Sequence, residues 1–399
     1  MSGPLDGVRI VDLTTVLMGP YATQILADMG AEVVKVESPE GDVTRQLYPY
    51  RNRGMGFMYL SVNRNKRSIV LDLKKPEARD AVLALAKDAD VLVYNIRPAA
   101  MARLKLSYDE VRAVNPRILY VGAFGYSQRG PNASKPAYED LIQGAIGLPK
   151  LFQQQGSAEP HYVPINLVDR TMGQQVASLI AMALYRREKT GRGERIDVPM
   201  FEHMLAIVLG EHMTGATFEP RIGGPGYARI LAPERRPFRT KDGYVCVLIY
   251  NDKQWRAFFS MVGRPEVMET DERFSSADGR SRNTAAVNEV VAAEIAKRTT
   301  AEWLAAFEAA DIPAQRMNDL EDILADEHLA AIGYYTEREH PTEGRIRTTA
   351  TPSEWSESQP SYRRHAPTLG QHTREVLREA GYDEGSIDAM FASGAAKGA

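Results

Sequence analysis

The amino-terminal 36 residues have the pattern of a strand, a helix and a second strand, and no other stretch limits the fold as strongly. Val8–Leu13 is a short apolar run typical of a buried strand, and the helical spacing of Tyr21–Met29 ends at Gly30. Ala31–Val36 is again strand-like. Such β-α-β units build parallel sheets, whose ligands bind beyond the carboxyl ends of the strands.

The alternation continues through the first half of the chain. Strand patterns recur at Ser68–Leu73, Val91–Asn95 and Ile118–Ala123, and Glu77–Lys87 has helical spacing after Pro76. We therefore predict an α/β fold whose large domain is doubly wound around a parallel, Rossmann-like sheet.

A change in amino-acid composition after residue 213 indicates a second domain. Residues 214–237 are rich in Gly, Pro and Arg and are predicted to form a linker with a glycine loop. Tyr244–Tyr250 has strand character, and Asp252–Val262 and Thr300–Ala310 have helical spacing, which indicates a small α/β domain at residues 238–329. The large domain then comprises residues 1–213 and 330–399, and its tail, Ala392–Ala399, is predicted to be disordered.

Charge and cysteine content narrow the class of protein. The formal net charge of -3 does not suggest nucleic acid or an anionic membrane as a partner. The single cysteine, Cys246, excludes an intrachain disulfide, fits a reducing compartment and is expected to be a small core residue. No secretion signal or membrane-length apolar run is evident, so we expect a cytoplasmic protein with no membrane partner.

The common cofactor motifs are missing from the sequence. Thr14–Pro20 follows the first strand with Gly19 as its only glycine, so the three-glycine dinucleotide fingerprint is absent. Gly125–Gly130 is one residue too long for the nucleophile elbow of esterases. The seven histidines never fall at metal-ligand spacing, so we predict neither an NAD site nor a metal site.

Basic residues cluster near the predicted strand ends. Each of them alone is most simply a solvated charge. Several together beyond the carboxyl ends of parallel strands would suit a phosphate-bearing ligand. The set comprises Arg64, Lys66, Arg67, Lys74, Lys75, Arg97 and Arg103.

Asp169 is the carboxylate that the sequence singles out. It ends a short apolar run and stands at or just before the start of a helix that continues to Tyr185. A carboxylate at such a place is either a helix cap or a nucleophile, and its ionised form is favoured by the helix dipole. The cap is the commoner role, although Met172 stands where a capping box has Glu or Gln.

Five stretches resemble a known family, the class III CoA-transferases of the CaiB/BaiF group, in the family's order from Pro4 to Gly381. They are PLDGVRIVDLTTVLMGPYATQILADMGAEVVKVE (Pro4–Glu37), NRNKRSIVLDL (Asn63–Leu73), DVLVYNIRP (Asp90–Pro98), TGRGERIDVPMFE (Thr190–Glu202) and APTLGQHTREVL (Ala366–Leu377). The family's nucleophilic aspartate precedes the helix before TGRG, and that position is Asp169 here. The resemblance therefore implies a nucleophile rather than a cap.

The resemblance implies an acyl-CoA:carboxylate CoA-transferase that works through an aspartyl-CoA thioester, with CoA as a substrate and no tightly bound cofactor. It implies that Tyr138 and Glu139 line the acyl pocket together with Tyr59. Gly223 and Gly224 are candidates for an oxyanion-binding loop, a role we weigh equally with that of a plain linker. The resemblance also implies a homodimer of two interlocked rings. The positions matching the family's CoA contacts are Val16, Leu17, Met18, Lys75, Asn95, Ile96, Arg103 and Met200, and Arg97 is a further candidate for a phosphate or a second carboxylate.

Two other functions stay open at this point. A 2-methylacyl-CoA racemase of the same fold needs a His before an acidic residue where this chain has Tyr138 and Glu139. A non-catalytic CoA-binding protein would not need Asp169. For a transferase, Leu17 and the short glycine run Gly223–Gly226 depart from the formyl-CoA members and argue against formyl and oxalate substrates. We expect a small aliphatic mono- or dicarboxylate, which Arg64 and Arg97 could hold if they face the pocket.

Overall fold

The computed structural model describes residues 3–398. The chain forms two compact units. The large unit comprises Met1–Ile146, Val163–Ile207 and His328–Ala399, and the small unit comprises Gly147–Tyr162 and Val208–Glu327.

Strands and helices alternate up to residue 212, as the sequence predicts. They are β1 (Arg9–Leu13), α1 (Met18–Asp28), β2 (Glu32–Glu37), α2 (Phe57–Val62), β3 (Lys66–Leu71), α3 (Pro76–Lys87), β4 (Val91–Tyr94), α4 (Pro98–Arg103), α5 (Tyr108–Val114), β5 (Leu119–Phe124), α6 (Glu139–Ala145), α7 (Leu148–Gln154), α8 (Leu167–Thr190), β6 (Glu194–Pro199) and α9 (Met200–His212).

The rest of the chain is more helical. It contains α10 (Ala228–Leu231), β7 (Phe238–Arg239), β8 (Tyr244–Val247), α11 (Asp252–Met261), α12 (Val267–Thr270), α13 (Ala277–Arg282), α14 (Thr284–Ile295), α15 (Thr300–Ala309), β9 (Ala314–Arg316), α16 (Leu320–Leu324), α17 (Glu327–Ala331), β10 (Tyr335–His340), β11 (Gly344–Thr349), α18 (Thr373–Glu379), α19 (Glu384–Ser393) and β12 (Ala396–Lys397).

A seven-stranded sheet organises the large unit. Its order is β12-β3-β2-β1-β4-β5-β6, with β1 to β6 parallel and β12 antiparallel to β3. Strands β4 and β5 are buried along their whole length, which is why they appear in the sequence as unbroken apolar runs. The α/β class is therefore confirmed, and the order 3-2-1-4-5-6 is that of dinucleotide-binding folds.

The chain order of the sheet reverses between β1 and β4. Ligands of open α/β sheets bind in the crevice outside the carboxyl ends of the strands at such a switch point. The loop after β1 contains Val16, and the loop after β4 contains Asn95. These two loops are therefore the first place to look for a functional site.

The prediction of a disordered tail is wrong for residues 392–398, whereas Ala399 lies outside the described residues. Residues up to Ser393 continue α19, and Ala396 and Lys397 pair with Leu71 and Val70 of β3. Small residues suit this place, because Ala395 and Ala396 are buried against the edge of the sheet. Tertiary pairing here overrides the weak strand propensity of alanine.

The small unit has its own core under a three-stranded antiparallel sheet of order β7-β8-β9. Six of the thirteen buried residues of this core are aromatic, and among them Phe258, Phe259 and Trp303 have no exposed surface. The expectation that Cys246 is a core residue is wrong. Strand β8 alternates its side chains, so Val245 points into the core and Cys246 is exposed.

The two units divide the chain differently from the predicted domains. Residues 147–162 cluster with the small unit, because Gln155 Nε2 donates to Ile230 O (3.0 Å) and Gly156 lies against Pro233. The small unit also begins earlier, at Val208 within α9. No helix within residues 3–398 is both long enough and apolar enough to cross a membrane, and the same residues contain no group of His, Cys, Asp or Glu suited to a metal ion.

Candidate active site

Asp169 lies in the first turn of α8, as the third residue of the helix. The cap position belongs to Asn166, so the capping role considered from the sequence does not apply to Asp169. The Asp169 side chain is half-buried, and no residue between 3 and 398 makes a hydrogen bond or ion pair with its carboxylate. A partly buried carboxylate without a partner is available to a ligand.

Glu139 caps the helix that carries Asp169. Its Oε1 accepts from the N–H of Val168 (3.0 Å), and its Oε2 accepts from the N–H of Asp169 (2.8 Å). Gln143, one turn further along α6, donates to Glu139 Oε1 (2.7 Å) and accepts from the N–H of Val163 (2.9 Å). The start of α8 is thus fixed by a carboxylate that lies 30 residues earlier in the chain.

Burial raises the pKa of Asp169 to about 6, with the negative charge of Glu139 as the second cause and Arg170 opposing both. The net shift of the pKa is therefore opposite to the effect expected from the helix dipole, because burial and the charge of Glu139 disfavour the ionised form. A carboxylate with this pKa is mostly ionised at pH 7 yet weakly solvated, which suits a nucleophile or a base.

Gly173 lets α8 approach α1 closely. A Cβ atom at this position would lie 2.7 Å from Tyr21 Cδ1 and 2.9 Å from Met18 O, so no other residue fits without movement. One turn earlier, the Arg170 guanidinium lies over the Tyr21 ring, 4.5 Å from its centroid. The first turns of α1 and α8 are therefore neighbours, which brings Asp169 toward the loop after β1.

That loop, Thr14–Leu17, is held to Asn95, which directly follows β4, the neighbour of β1 at the switch point. Asn95 Oδ1 accepts from the N–H of Thr15 (3.0 Å), and Asn95 Nδ2 donates to Thr15 O (2.8 Å). Val16 is 37% exposed, whereas Leu17 and Met18 are buried beneath it. Of the three consecutive residues that the family resemblance placed against CoA, Val16 has the most exposed side chain.

The remaining predicted contacts vary in exposure. Arg97 and Arg103, at the two ends of α4, are exposed and make no side-chain hydrogen bond within the described part of the chain. Lys75 precedes α3 and donates to Ser393 O. Ile96 is half-buried beside the main core, and Met200 is buried at the start of α9.

Tyr138 and Tyr59 lie in opposite environments. Tyr138 is the residue before α6 and is 65% exposed, one position from the capping Glu139. Tyr59 has no exposed surface, since its hydroxyl accepts from Arg45 Nη2 (2.5 Å) and the Arg45 guanidinium lies 3.7 Å from its ring centroid. We therefore leave Tyr59 out of the candidate site.

Three of the basic residues lie at the amino end of β3, not at the carboxyl end that the strand-end argument requires. Arg64 is buried and paired with Asp28 (2.7 Å), and Lys66 is buried and paired with Asp12 (3.2 Å). Arg67 contacts Glu375 and Glu379 on α18. Arg64 thus cannot hold a second carboxylate of a substrate, and Lys74, Lys75, Arg97 and Arg103 remain.

Gly223 and Gly224 belong to a folded segment of the small unit rather than to a plain linker. Thr214 Oγ1 donates to Gly224 O (2.8 Å), and a Cβ atom on Gly215 would lie 2.5 Å from Gly223 Cα. The N–H of Gly226 donates to His212 O (2.8 Å) at the end of α9. Their part in binding an oxyanion stays a prediction.

Sequence reasoning missed Gln143, which orients Glu139, and Lys35 and Asp42, which hold the loop after β1. Of these three residues, only Lys35 stands in a sequence pattern that could have revealed it. A lysine between valines inside strand β2 is either at an edge or buried with a partner, and here it is fully buried with Asp42 (3.0 Å).

Comparison with known proteins was made against families, curated proteins and solved structures. A family model described as CoA-transferase family III matches residues 5–373. The chain is 33% identical over 396 residues to succinyl-CoA:glutarate CoA-transferase of Mus musculus, covering 98% of this chain and 90% of that protein. It is 36% identical over 325 residues to acetyl-CoA:oxalate CoA-transferase of Acetobacter aceti, covering 80% and 82%. The crystal structure of a CAIB/BAIF family protein from Brucella suis superposes with a TM-score of 0.80 at 28% identity, covering 95% of this chain and 100% of that one.

Proposed function

The chain belongs to CoA-transferase family III, and from that premise we propose that it moves CoA from an acyl-CoA donor to a free carboxylic acid through a thioester on Asp169. One observation carries the proposal. The Asp169 carboxylate is half-buried, has a pKa of about 6 and is unpaired, and its helix α8 packs against α1, the helix that follows the loop at the switch point of the sheet.

The proposed reaction balances without water or a net proton. An Asp169 oxygen attacks the thioester carbonyl, the C–S bond breaks, and a mixed anhydride and CoA thiolate form. The thiolate then attacks the Asp169 carbonyl carbon, which releases the donor acid and leaves an aspartyl-CoA thioester. The acceptor carboxylate repeats these steps in reverse, so that CoA leaves on the acceptor and Asp169 is regenerated.

Each residue has a role in this proposal. Lys75 and Arg103 would bind CoA phosphates, since they follow the carboxyl ends of β3 and β4 in the chain. Val16 and Ile96 would flank the pantetheine chain. Tyr138 would donate to the acyl oxygen. Glu139 would hold Asp169 in place through its backbone N–H.

The family resemblance also implies a homodimer of interlocked rings, and we keep that assembly as part of the proposal. Cytoplasmic location likewise remains a prediction from the sequence. Neither is needed for the chemistry at Asp169.

A dicarboxylic acid is the acceptor we favour. Two similar proteins are named for the dicarboxylic acids glutarate and oxalate. Arg97 is exposed and could meet the second carboxylate, whereas Arg64 is bound to Asp28. Leu17 argues against oxalate, but its side chain is buried and the relative named for oxalate is 36% identical, so oxalate belongs in any test.

Transfer is tested with a panel of acyl-CoA donors and carboxylic acids, with products separated by chromatography and identified by mass. We expect a new acyl-CoA to appear at the rate at which the donor is lost, for at least one dicarboxylic acceptor. The same incubation in deuterated water, with 2-methylacyl-CoA, tests the racemase. Rapid incorporation of deuterium at the α-carbon without transfer to any acid would overturn the proposed function.

The rate of transfer should depend on the protonation of Asp169. Its ionised form is the nucleophile, and burial with Glu139 raises the pKa to about 6 from 3.8, so kcat/KM should fall about tenfold per pH unit below that value. Phosphate groups titrate in the same range, so this acid limb of the pH profile of kcat/KM does not by itself identify Asp169. Glu139→Gln removes one of the charges that raise the pKa and should move the limb to lower pH.

Glu188→Gln is the matched control for this profile. Glu188 is exposed near the far end of the same helix, so its substitution should leave the acid limb in place. Glu139→Gln should also lower kcat about tenfold, because one amide oxygen cannot accept from both Val168 and Asp169 as the carboxylate does. An acid limb at the same pH in wild type and Glu139→Gln would contradict the assignment.

A further inference from the structure

Val16 adopts a conformation that valine rarely takes. Its φ is 71°, in the left-handed region that favours glycine, and it stands between the end of β1 and the start of α1. A β-branched side chain at positive φ is strained and persists only where its surroundings impose it. Such strain clusters at functional sites, and this residue lies at the switch point of the sheet.

Asp42 is the group that imposes the conformation. The N–H of Val16 donates to both Asp42 oxygens, at 3.2 and 3.3 Å. The same carboxylate accepts from the N–H of Thr44 (3.0 Å), from Thr44 Oγ1 (2.8 Å) and from Lys35 Nζ (3.0 Å). Asp42 cannot turn away from Val16 without breaking these contacts.

The residues before Val16 are held in the same way. Lys35 Nζ donates to Thr14 O (2.8 Å), and Asp12 accepts from the N–H of Thr14 (2.8 Å). Asn95 makes two further hydrogen bonds to the backbone of Thr15. The N–H and C=O of Thr14, the N–H and C=O of Thr15 and the N–H of Val16 are therefore all hydrogen-bonded to side chains. The turn is therefore fixed by side chains of the protein itself.

Buried charge stands behind this turn. Asp12, Lys35 and Lys66 are fully buried, and Asp42 is nearly so. Burial alone would raise the pKa of Asp42, but the charge of Lys35 and the hydrogen bonds from Lys35 and Thr44 together outweigh it, and the pKa lies below its usual value. A buried ion pair often stabilises a fold no more than apolar residues of similar volume, so these charges beneath a strained turn favour a positional role.

We propose that Asp42, oriented by Lys35, is a positioning residue that holds Val16 in the left-handed conformation so that the turn Val16–Met18 is ready to receive CoA. The proposal rests on the proposed function, since it takes CoA as the ligand of this turn. Asp42 itself touches no reacting atom. It acts through the backbone of Val16 and lowers the ordering cost of binding.

A double-mutant cycle of Asp42→Ala and Val16→Gly tests this role, with the dissociation constant of free CoA measured by calorimetry. In the wild-type background, Asp42→Ala should weaken CoA binding about tenfold, because Val16 then relaxes to negative φ. Glycine takes positive φ without strain. In the Val16→Gly background, Asp42→Ala should therefore weaken binding less than about threefold.

A purely structural role would give equal losses in both backgrounds, and that result would overturn the proposal. Thermal denaturation of each variant separates binding from folding, since the loss of folding stability should be shared by both backgrounds. If Asp42→Ala does not fold, Asp42→Asn takes its place in the cycle, since asparagine keeps the side-chain volume and one oxygen that can accept from the amides. CoA binding should again be weakened more in the wild-type background than in the Val16→Gly background. Absence of CoA binding by the wild-type protein would refute the proposed function instead, so the two failures are distinguishable.

Discussion

Asp169→Ala is expected to reduce CoA transfer to below about one thousandth of the wild-type rate, because it removes the group that forms each covalent intermediate. Binding of free CoA should change less than about threefold, since the residues assigned to CoA lie on other elements. The measurement is initial rate with the best donor and acceptor of the panel, beside calorimetric binding of CoA.

The variant should be folded. Folded Asp169 has a pKa of about 6 against an ordinary value of 3.8, so its contribution to the free energy of unfolding is present below that ordinary value and is lost as pH rises through 6. At pH 7.5 the ionised group destabilises the fold, and the thermal midpoint of Asp169→Ala should not lie below that of wild type. Wild-type rates in this variant would end the nucleophile assignment.

Arg45→Ala is expected to produce the largest loss of stability. Arg45 is 1% exposed and donates to both oxygens of Glu37, at 2.7 and 2.8 Å, to Tyr59 Oη (2.5 Å) and to Pro367 O (3.2 Å). Its removal leaves the buried Glu37 carboxylate without its guanidinium partner, which costs about 3–5 kcal/mol. Calorimetry should show the transition of the large unit on the order of 10 °C lower.

Arg374→Ala is the matched control on the surface. Arg374 pairs with Asp388 (2.6 Å) and Glu384 (3.4 Å), all three exposed, so its loss should cost less than about 1 kcal/mol. Trp255 and Trp303 lie in the core of the small unit, so once Trp355 of the large unit is replaced by Phe, tryptophan fluorescence reports on the small unit separately. Equal decreases of the unfolding temperature for Arg45→Ala and Arg374→Ala would show that the buried ion pair contributes no more to stability than a surface pair.

Most of the large unit could be predicted from the sequence because its strands are buried on both faces. Runs such as Val91–Tyr94 and Leu119–Phe124 leave no polar position, and helices begin at Pro76 and Pro98 where proline is tolerated. The strand at Ala396 could not be predicted, because its pairing with β3 depends on residues more than 300 positions away.

The candidate site was predictable only in part. Asp169 was identified through its position in the family's order of motifs, whereas its raised pKa depends first on burial in the fold and then on the charge of Glu139, which lies 30 residues earlier. Arg64 and Tyr59 were misplaced for one physical reason. A sequence does not show whether a long polar side chain reaches solvent or a buried partner, and these two reach Asp28 and Arg45.

The central claim is that Asp169 carries CoA covalently during turnover. Enzyme incubated with an acyl-CoA alone, quenched in acid and digested, should yield a peptide containing Asp169 whose mass is increased by one CoA less one water. Borohydride should reduce the thioester and convert that aspartate to homoserine, and Asp169→Ala should yield no adduct. An adduct on another residue, or none in enzyme that turns over, would contradict the account.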